Sequence, residues 1–408
     1  MRAKLLAPAA EAIKAGQLVA FPTETVYGLG ADAFNPEAIR QIYQVKGRPQ
    51  DNPLIVHLTK LEDLAKVARE VPELAYRLYQ RFAPGPLSLI LPKHPDLPSI
   101  VTAGGDTVAV RFPAHPLAQD LINLSGTPLV APSANISGRP SPTTAAICYQ
   151  DLQGKVPYIL DGGPCTFGVE STVLDLTSAV PTILRPGGLT REALSAFCAC
   201  PIAYVGDPQE NPEGQDQPPV PKSPGMKYRH YAPQAKVQIL TWQQAEDRSQ
   251  VLANALQPYL DAIRQPLLAD QTPRRQEPLM ADQTPSRQEP LMADQTLSRP
   301  GTQTANRKPT RLGFFLDQSA SQALINQLAT DIPYVEIRSW QDQLPSLPGP
   351  GILIYNYGQG ALAAAHALFV SFRHFDDLAC SQIFAQAEER DDVGLAYMER
   401  LTRAASGK

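Results

Sequence analysis

Six short stretches in the first 190 residues carry side chains that could do chemistry, and they are rich in cations, hydroxyls and amides. Phe21-Pro-Thr-Glu-Thr-Val-Tyr-Gly-Leu-Gly30 runs a strand into a turn bearing Thr23 and Thr25. Hydroxyls at a strand end can fix a small polar ligand, and a turn with local side-chain bonds accounts for them equally well. Lys46-Gly-Arg48, with Asn52-Pro-Leu-Ile-Val-His57 after it, places two cations in a turn just before a strand. Arginine offers phosphate a planar fork and lysine a point charge, although cations at a helix C-terminus also complement its dipole. His57, inside an apolar run, reads by itself as a core histidine. Arg111, ending Thr107-Val-Ala-Val-Arg111, is costly to bury without an anion, supplied by a protein or a ligand carboxylate. Ala131-Pro-Ser-Ala-Asn135-Ile-Ser-Gly-Arg139, with Ser141, can present N–H and O–H donors to phosphate or sugar. Gly168-Val-Glu-Ser171-Thr172 and Leu184-Arg185-Pro-Gly-Gly188 complete the set, each with a simple turn as its alternative.

Cations and hydroxyls at strand ends, with few carboxylates beside them, suit a ligand that carries phosphates and a carboxylate. The usual nucleotide loops, Gly-x-x-x-x-Gly-Lys-Ser/Thr and a strand-to-helix Gly-x-Gly-x-x-Gly, are not present. No Ser-His-Asp or Cys-His set is evident from spacing.

The elements that must position these groups alternate between strand and helix patterns. Leu18 to Phe21, Leu54 to Leu58, Leu87 to Leu91, Val108 to Phe112, Leu129 to Ala131, Tyr158 to Leu160, Ser171 to Leu176 and Thr182 to Leu184 read as strands. Asn35 can cap a helix that begins at Pro36 and turns Ile39, Ile42 and Tyr43 inward. Such alternation predicts an α/β unit with a mixed sheet.

Composition then marks a boundary. Proline is 41 of 408 residues, about twice the usual share, which excludes a coiled coil or a mainly helical bundle. From Gly206 to Pro224 six prolines and almost nothing apolar predict an extended linker. It leads into Pro224-Gly-Met-Lys-Tyr-Arg-His-Tyr-Ala-Pro233, whose cations and tyrosines are not spacer chemistry. A second α/β unit starts near Val237, with strands at Leu312 to Leu316, Tyr334 to Ile337 and Ile352 to Tyr355 predicting a small parallel sheet. Within it, a unit of twelve residues starting at Pro266, Pro278 and Pro290 repeats without an aromatic residue, and reads as a disordered insertion.

Up to Ala235 there are 20 basic and 21 acidic residues, so strong nucleic-acid binding is not expected. Five scattered cysteines form neither a disulfide framework nor a zinc-site pattern. The longest apolar run, Ala361 to Val370, contains His366 and is far shorter than a membrane span. A cytoplasmic protein is expected.

In their order, the six stretches resemble the threonylcarbamoyl-AMP synthase family, built on a YrdC-like domain, across nearly all of residues 1–200. The 224–233 cluster resembles the linker of that family's two-domain form, and Ala363 to Leu378 and Gly394 to Ala405 resemble the ends of its Rossmann-like domain. Members tend to carry Asn-Arg-Leu where this chain has Glu399-Arg400-Leu401, and the repeats are a departure.

The resemblance implies an α/β fold: a YrdC-like twisted mixed sheet with flanking helices over 1–205, a proline-rich linker folding over the active site at 206–235, and a smaller Rossmann-like domain over 236–408 with a disordered insertion at about 264–310. It implies a nucleotidyltransferase that makes L-threonylcarbamoyladenylate and pyrophosphate from L-threonine, bicarbonate or CO₂, and ATP, for modification of tRNA by partner enzymes. Lys46 and Arg48 correspond to catalytic cations; Thr25, His57, Arg111, Ala131 and Ser171 to the threonine site. Arg48, Asn52, Thr107, Ser133, Asn135, Ser141, Arg185 and Tyr231 correspond to the ATP site, with Mg²⁺ riding on the phosphates and no protein metal site. The alternative is an RNA-binding, translation-related factor.

Overall fold

Asn35 ends a turn with extended backbone, and its side chain accepts hydrogen bonds from the N–H groups of Glu37 and Ala38. With Pro36 in the first helical turn and Gly47 left-handed at the other end, both termini of the second helix are fixed by local chemistry. That helix ends at Lys46, so its caps place the Lys46–Arg48 turn.

The structure is a computed structural model and describes residues 2–205, 207, 221–223, 231–269, 310–328, 330, 332–338 and 349–406. The first unit runs α1 (Arg2–Lys14), β1 (Val19–Phe21), β2 (Gly28–Asp32), α2 (Pro36–Lys46), β3 (Ile55–His57), α3 (Leu64–Val67), α4 (Glu73–Phe82) and β4 (Leu87–Pro92). It continues through β5 (Thr107–Arg111), α5 (Pro116–Ser125), β6 (Leu129–Val130), α6 (Ala145–Leu152), β7 (Tyr158–Ile159) and β8 (Thr172–Asp175). It closes with β9 (Thr182–Arg185), α7 (Arg191–Cys198) and β10 (Ala203–Tyr204). Ten strands form one mixed sheet in the order β10-β9-β8-β4-β5-β3-β6-β2-β1-β7. One face buries a large core against α2, α3 and α4, and part of the other is covered by α1 and α5.

The second unit holds β11 (Lys236–Leu240), α8 (Asp247–Leu256), α9 (Leu260–Ala269), β12 (Arg311–Leu316), α10 (Gln318–Gln327) and β13 (Tyr334–Ile337). It ends with β14 (Gly351–Asn356), α11 (Gly360–Asp377), β15 (Gln382–Gln386) and α12 (Asp392–Ala405). Its five strands are all parallel, in the order β11-β15-β12-β14-β13. The core on the α11–α12 side of this sheet also takes in Val26, Ile147 and Val169 of the first unit, together with Tyr231. The two units therefore share buried apolar surface.

The α/β class, the mixed first sheet and the parallel second sheet agree with the sequence reading. The differences have physical causes. β2 falls where a turn is expected, because Gly28, Gly30 and small Ala31 are poor strand formers. They form a strand because Phe21 on β1 lies over them: a Cβ on Gly30 would sit 2.7 Å from the Phe21 ring. α9 runs into the first repeat as far as Ala269, so residues 264–269 of the expected insertion are helical; Ile263, fully buried, carries the helix against the core. The rest of the repeats, most of the linker, and residues 224–230 of the tyrosine cluster lie outside the described residues.

Gly30→Ala is expected to lower stability by about 1–3 kcal/mol through overpacking against Phe21. Adding Phe21→Leu should make the double variant's loss smaller than the sum of the two single losses. Urea midpoints of the four proteins check this, and strict additivity would mean that the close approach is not the constraint.

Candidate active site

Side chains from both edges of the central strands converge on a single pocket. Its walls are Val26, Arg48, Ile55, His57, Arg111, Ala131, Pro132, Ser133, Asn135, Arg139, Ser141, Glu170, Ser171, Arg185 and Tyr231. β3 and β5 pair in parallel with His57 beside Arg111, and β6 lies antiparallel on the other side of β3. The ends of these strands, the 131–141 loop, and the segments leading into β8 and out of β9 close the space.

Each cation is held by the fold before any ligand arrives. Arg48 donates to the carbonyls of Asn52 at 3.3 Å and Pro53 at 3.0 Å. Burial brings its guanidinium down to about 10, which leaves it charged at neutral pH. Arg185 donates to the Ser171 carbonyl at 3.0 Å and hydroxyl at 3.1 Å, and burial likewise lowers its pKa. Ser171 in turn shares a hydrogen bond of 2.8 Å with Ser88 on β4. Arg111 pairs with Glu24 at 2.7 Å, both side chains under a tenth exposed. The anion that Arg111 requires is thus a protein carboxylate, 87 residues distant in sequence.

The 131–141 loop is braced by its own polar groups. Ser133 donates to Asn135, and the Asn135 amide donates to the carbonyls of Ile136 and Arg139 at 2.8 Å each. Lys46 lies beneath this loop, 1% exposed, with its ammonium donating to the carbonyls of Ser133 and Asn135. Burial, then the neighbouring Arg48, pushes its pKa well below the ordinary lysine value. Lys46 therefore shapes the loop from behind, and its side chain is not among those lining the pocket.

Three other residues from the sequence reading also stand outside the pocket walls. Thr25 is fully buried and bonds Thr23 at 2.9 Å. Asn52 is 2% exposed, and its side-chain nitrogen has no hydrogen-bond partner among the described residues. Thr107 opens β5 at the opposite end from Arg111, roughly 13 Å away along an extended strand. The remaining eight, Arg48, His57, Arg111, Ser133, Asn135, Ser141, Ser171 and Arg185, share the pocket with Ala131 and Tyr231.

Residues that sequence reasoning did not single out are Glu24, Glu170, Arg139 and Ser88. Glu24 was visible only as part of a polar turn, and Glu170 only as part of a Gly-Val-Glu-Ser turn. Among the described residues the pocket walls carry four arginines against the single carboxylate of Glu170. Burial alone would raise that carboxylate's pKa, but Arg400, Arg185 and the Ser141 hydroxyl turn the shift downward, so it is an anion. Arg111 is matched by Glu24 and Arg139 by Asp151, so the remaining positive charge sits on Arg48 and Arg185, in a hydroxyl-lined setting that suits a polyanion. Among the described residues, no group of three or more His, Cys, Asp or Glu side chains is placed to hold a metal ion.

Comparison with known proteins matches this geometry. Residues 11–187 fit a family model for Sua5, YciO and YrdC proteins described as Telomere recombination. Residues 189–406 fit the model of the threonylcarbamoyl-AMP synthase C-terminal domain. The chain belongs to the threonylcarbamoyl-AMP synthase family. It is 51% identical to the threonylcarbamoyl-AMP synthase of Pyrococcus abyssi over 233 residues, and 51% identical to that of Bacillus subtilis over 235 residues. Each alignment takes in 57% of this chain and 66% of the relative, so the chain spans just under two thirds of those family members' own length. The crystal structure of P. abyssi Sua5 complexed with L-threonine matches with a TM-score of 0.70 at 34% identity, covering 99% of this chain and 95% of that one. Among the described residues of this family member, no helix is long and apolar enough to cross a membrane.

His57 gives the site a pH signature. Its Nδ1 donates to the Ile55 carbonyl at 3.1 Å, and burial, then the charge of Arg111, lowers its pKa from 6.5 to about 3. In the unfolded chain the same imidazole takes up a proton near 6.5, so the unfolded state binds more protons in between. Stability is therefore lost as pH falls below about 6.5, at about 1.4 kcal/mol per pH unit for this group. Between pH 7 and pH 5 the parent protein should lose about 2 kcal/mol more than His57→Gln does in urea titrations. Equal losses would show that the imidazole is not held neutral.

Proposed function

We propose that the chain is an L-threonylcarbamoyladenylate synthase that joins L-threonine, bicarbonate or CO₂, and ATP, releasing pyrophosphate. The observation that carries this reading is the gathering of Arg48, Arg111, Arg185, Ser133, Ser141 and Ser171 around one cavity in a member of this family. Residues 1–205 would form the catalytic unit and 236–408 the second unit, with 206–235 as the linker between them. The product would serve enzymes that modify adenosine in tRNA, in the cytoplasm, where ATP is available.

Threonine sits between His57, Ala131 and Ser171, with its carboxylate on the face of Arg111 not taken by Glu24. Arg48, Ser133, Asn135, Ser141 and Arg185 hold the nucleotide phosphates, and Tyr231 covers them. The orphan amide of Asn52, which costs about 1–3 kcal/mol while unpaired, gains an acceptor when a phosphate or ribose oxygen approaches Arg48. Mg²⁺ would be carried on the phosphates and would help neutralise their charge. The threonine amine attacks the inorganic carbon and gives up a proton, forming a carbamate; when bicarbonate is the carbon source a C–O bond breaks and water leaves. A carbamate oxygen then attacks the α-phosphorus, and pyrophosphate leaves with its electron pair. Both steps bring anions together, so catalysis rests on fixed cations and on positioning. The neutral imidazole of His57 adds no charge that would compete for the threonine carboxylate.

Purified protein given ATP, Mg²⁺, bicarbonate and amino acids one at a time is expected to release pyrophosphate with threonine. Serine, one methyl smaller, should be weaker by about 1–3 kcal/mol in kcat/KM. Release that does not depend on threonine would end this reading. Arg111→Lys keeps a charge beside Glu24 but loses the fork, and should raise KM for threonine about tenfold or more with a smaller change for ATP. Equal changes for both substrates would remove Arg111 from the carboxylate site.

A further inference from the structure

Glu170 is an oddity: a carboxylate, 7% exposed, on the wall of a pocket whose other charged walls are arginines. Left to Coulomb's law it would turn to Arg185 or Arg48 and occupy the place of a phosphate. Its side chain turns elsewhere. One oxygen accepts from the Ser141 hydroxyl at 2.7 Å, and the other from Arg400 Nε at 3.1 Å. Arg400 comes from α12 of the second unit and is completely buried.

Arg400 is itself held on several sides. Its Nη1 donates to the Pro186 carbonyl at 2.7 Å, next to Arg185, and to Glu399 at 2.7 Å. Its guanidinium lies 5.7 Å from the centre of the Tyr231 ring. Burial would weaken its charge, but Glu399, Tyr231 and Glu170 together raise its pKa, so it is a permanent cation. A second arginine of the same unit makes a matching contact. Arg373 on α11, also fully buried, donates to both oxygens of Asp151 at 3.0 and 2.6 Å and to the Pro140 carbonyl at 2.6 Å. Asp151 in turn receives Arg139 and the Ile136 N–H, so it ties down the loop that ends at Ser141.

We infer that Arg400 is a positioning residue of the nucleotide site: it sequesters the Glu170 carboxylate, so that Arg48 and Arg185 stay available to a polyphosphate. The second unit thereby sets the charge of a pocket that lies in the first. This rests on the proposed reading of the pocket as a nucleotide site. A buried ion pair is weak evidence for stability, because desolvation offsets most of the attraction. Its effect here is on which cations remain open to the ligand.

Removing the fork should release Glu170 into the pocket as a competing anion. In Arg400→Gln, calorimetric titration with Mg·ATP in the absence of threonine should show about tenfold weaker binding. Arg400→Gln/Glu170→Gln should recover most of that loss, because the competing charge is gone. In steady-state assays KM for ATP should rise in the single variant and fall back in the double, with KM for threonine much less affected. If Arg400→Gln does not fold, Arg400→Lys, which keeps a cation for Glu170 without the second contact to Pro186, should raise KM for ATP above the parent value, and adding Glu170→Gln should bring it back toward the parent. A double variant no better than the single, or equal rises for ATP and threonine, would overturn the inference. Parent protein that binds Mg·ATP but releases no pyrophosphate with threonine would sink the reaction and leave the sequestration test intact.

Discussion

Three guanidinium groups, Arg48, Arg111 and Arg185, are each less than a tenth exposed around one small space. Taking each out of water costs several kcal/mol even after relaxation, so each must be compensated by the protein. The way this is done differs from group to group and sets the character of the pocket. Arg111 is matched by a full carboxylate, Glu24. Arg48 and Arg185 are held chiefly by carbonyl and hydroxyl oxygens, which orient a guanidinium without cancelling its charge. Much of the sheet order follows from this need, since β3, β5, β8 and β9 must all bring their ends to the same place.

Much of this was legible from residue types. The cost of burying Arg111 announced an anion, but the choice between Glu24 and a ligand could not be made, because the turn that carries Glu24 meets Arg111 only in the folded sheet. The Asn35–Pro36 cap and the Gly47 stop were legible because they are local. Lys46 was legible as a cation beside Arg48, but its contacts with the Ser133 and Asn135 carbonyls, nearly ninety residues away, were not. β2 was illegible because its glycines owe their strand to a ring on a neighbouring strand. The argument applied to Arg111 applies equally to Arg373, which lies between phenylalanines in Ser-Phe-Arg-His-Phe375, but nothing in the sequence points to Asp151 as its partner.

The second unit has a complete parallel sheet of its own, and its α11–α12 face is finished by residues of the first unit. Apolar burial supplies the adhesion. The paired arginines supply the register, since a fork aimed at Asp151 or at Glu170 and Pro186 tolerates little sliding. Buried pairs of this type are weak evidence for added stability, because desolvation offsets most of the attraction.

Tyr231 is stacked on Phe369 at 5.2 Å between ring centres, and its backbone is left-handed with φ 71°. For a residue other than glycine that conformation costs about 1–2 kcal/mol. The stack on Phe369 and the Arg400 guanidinium, 5.7 Å from the ring centre, offset that strain. The ring is thus a keystone common to the pocket wall and to the second unit's core, so neither can be repacked without touching the other.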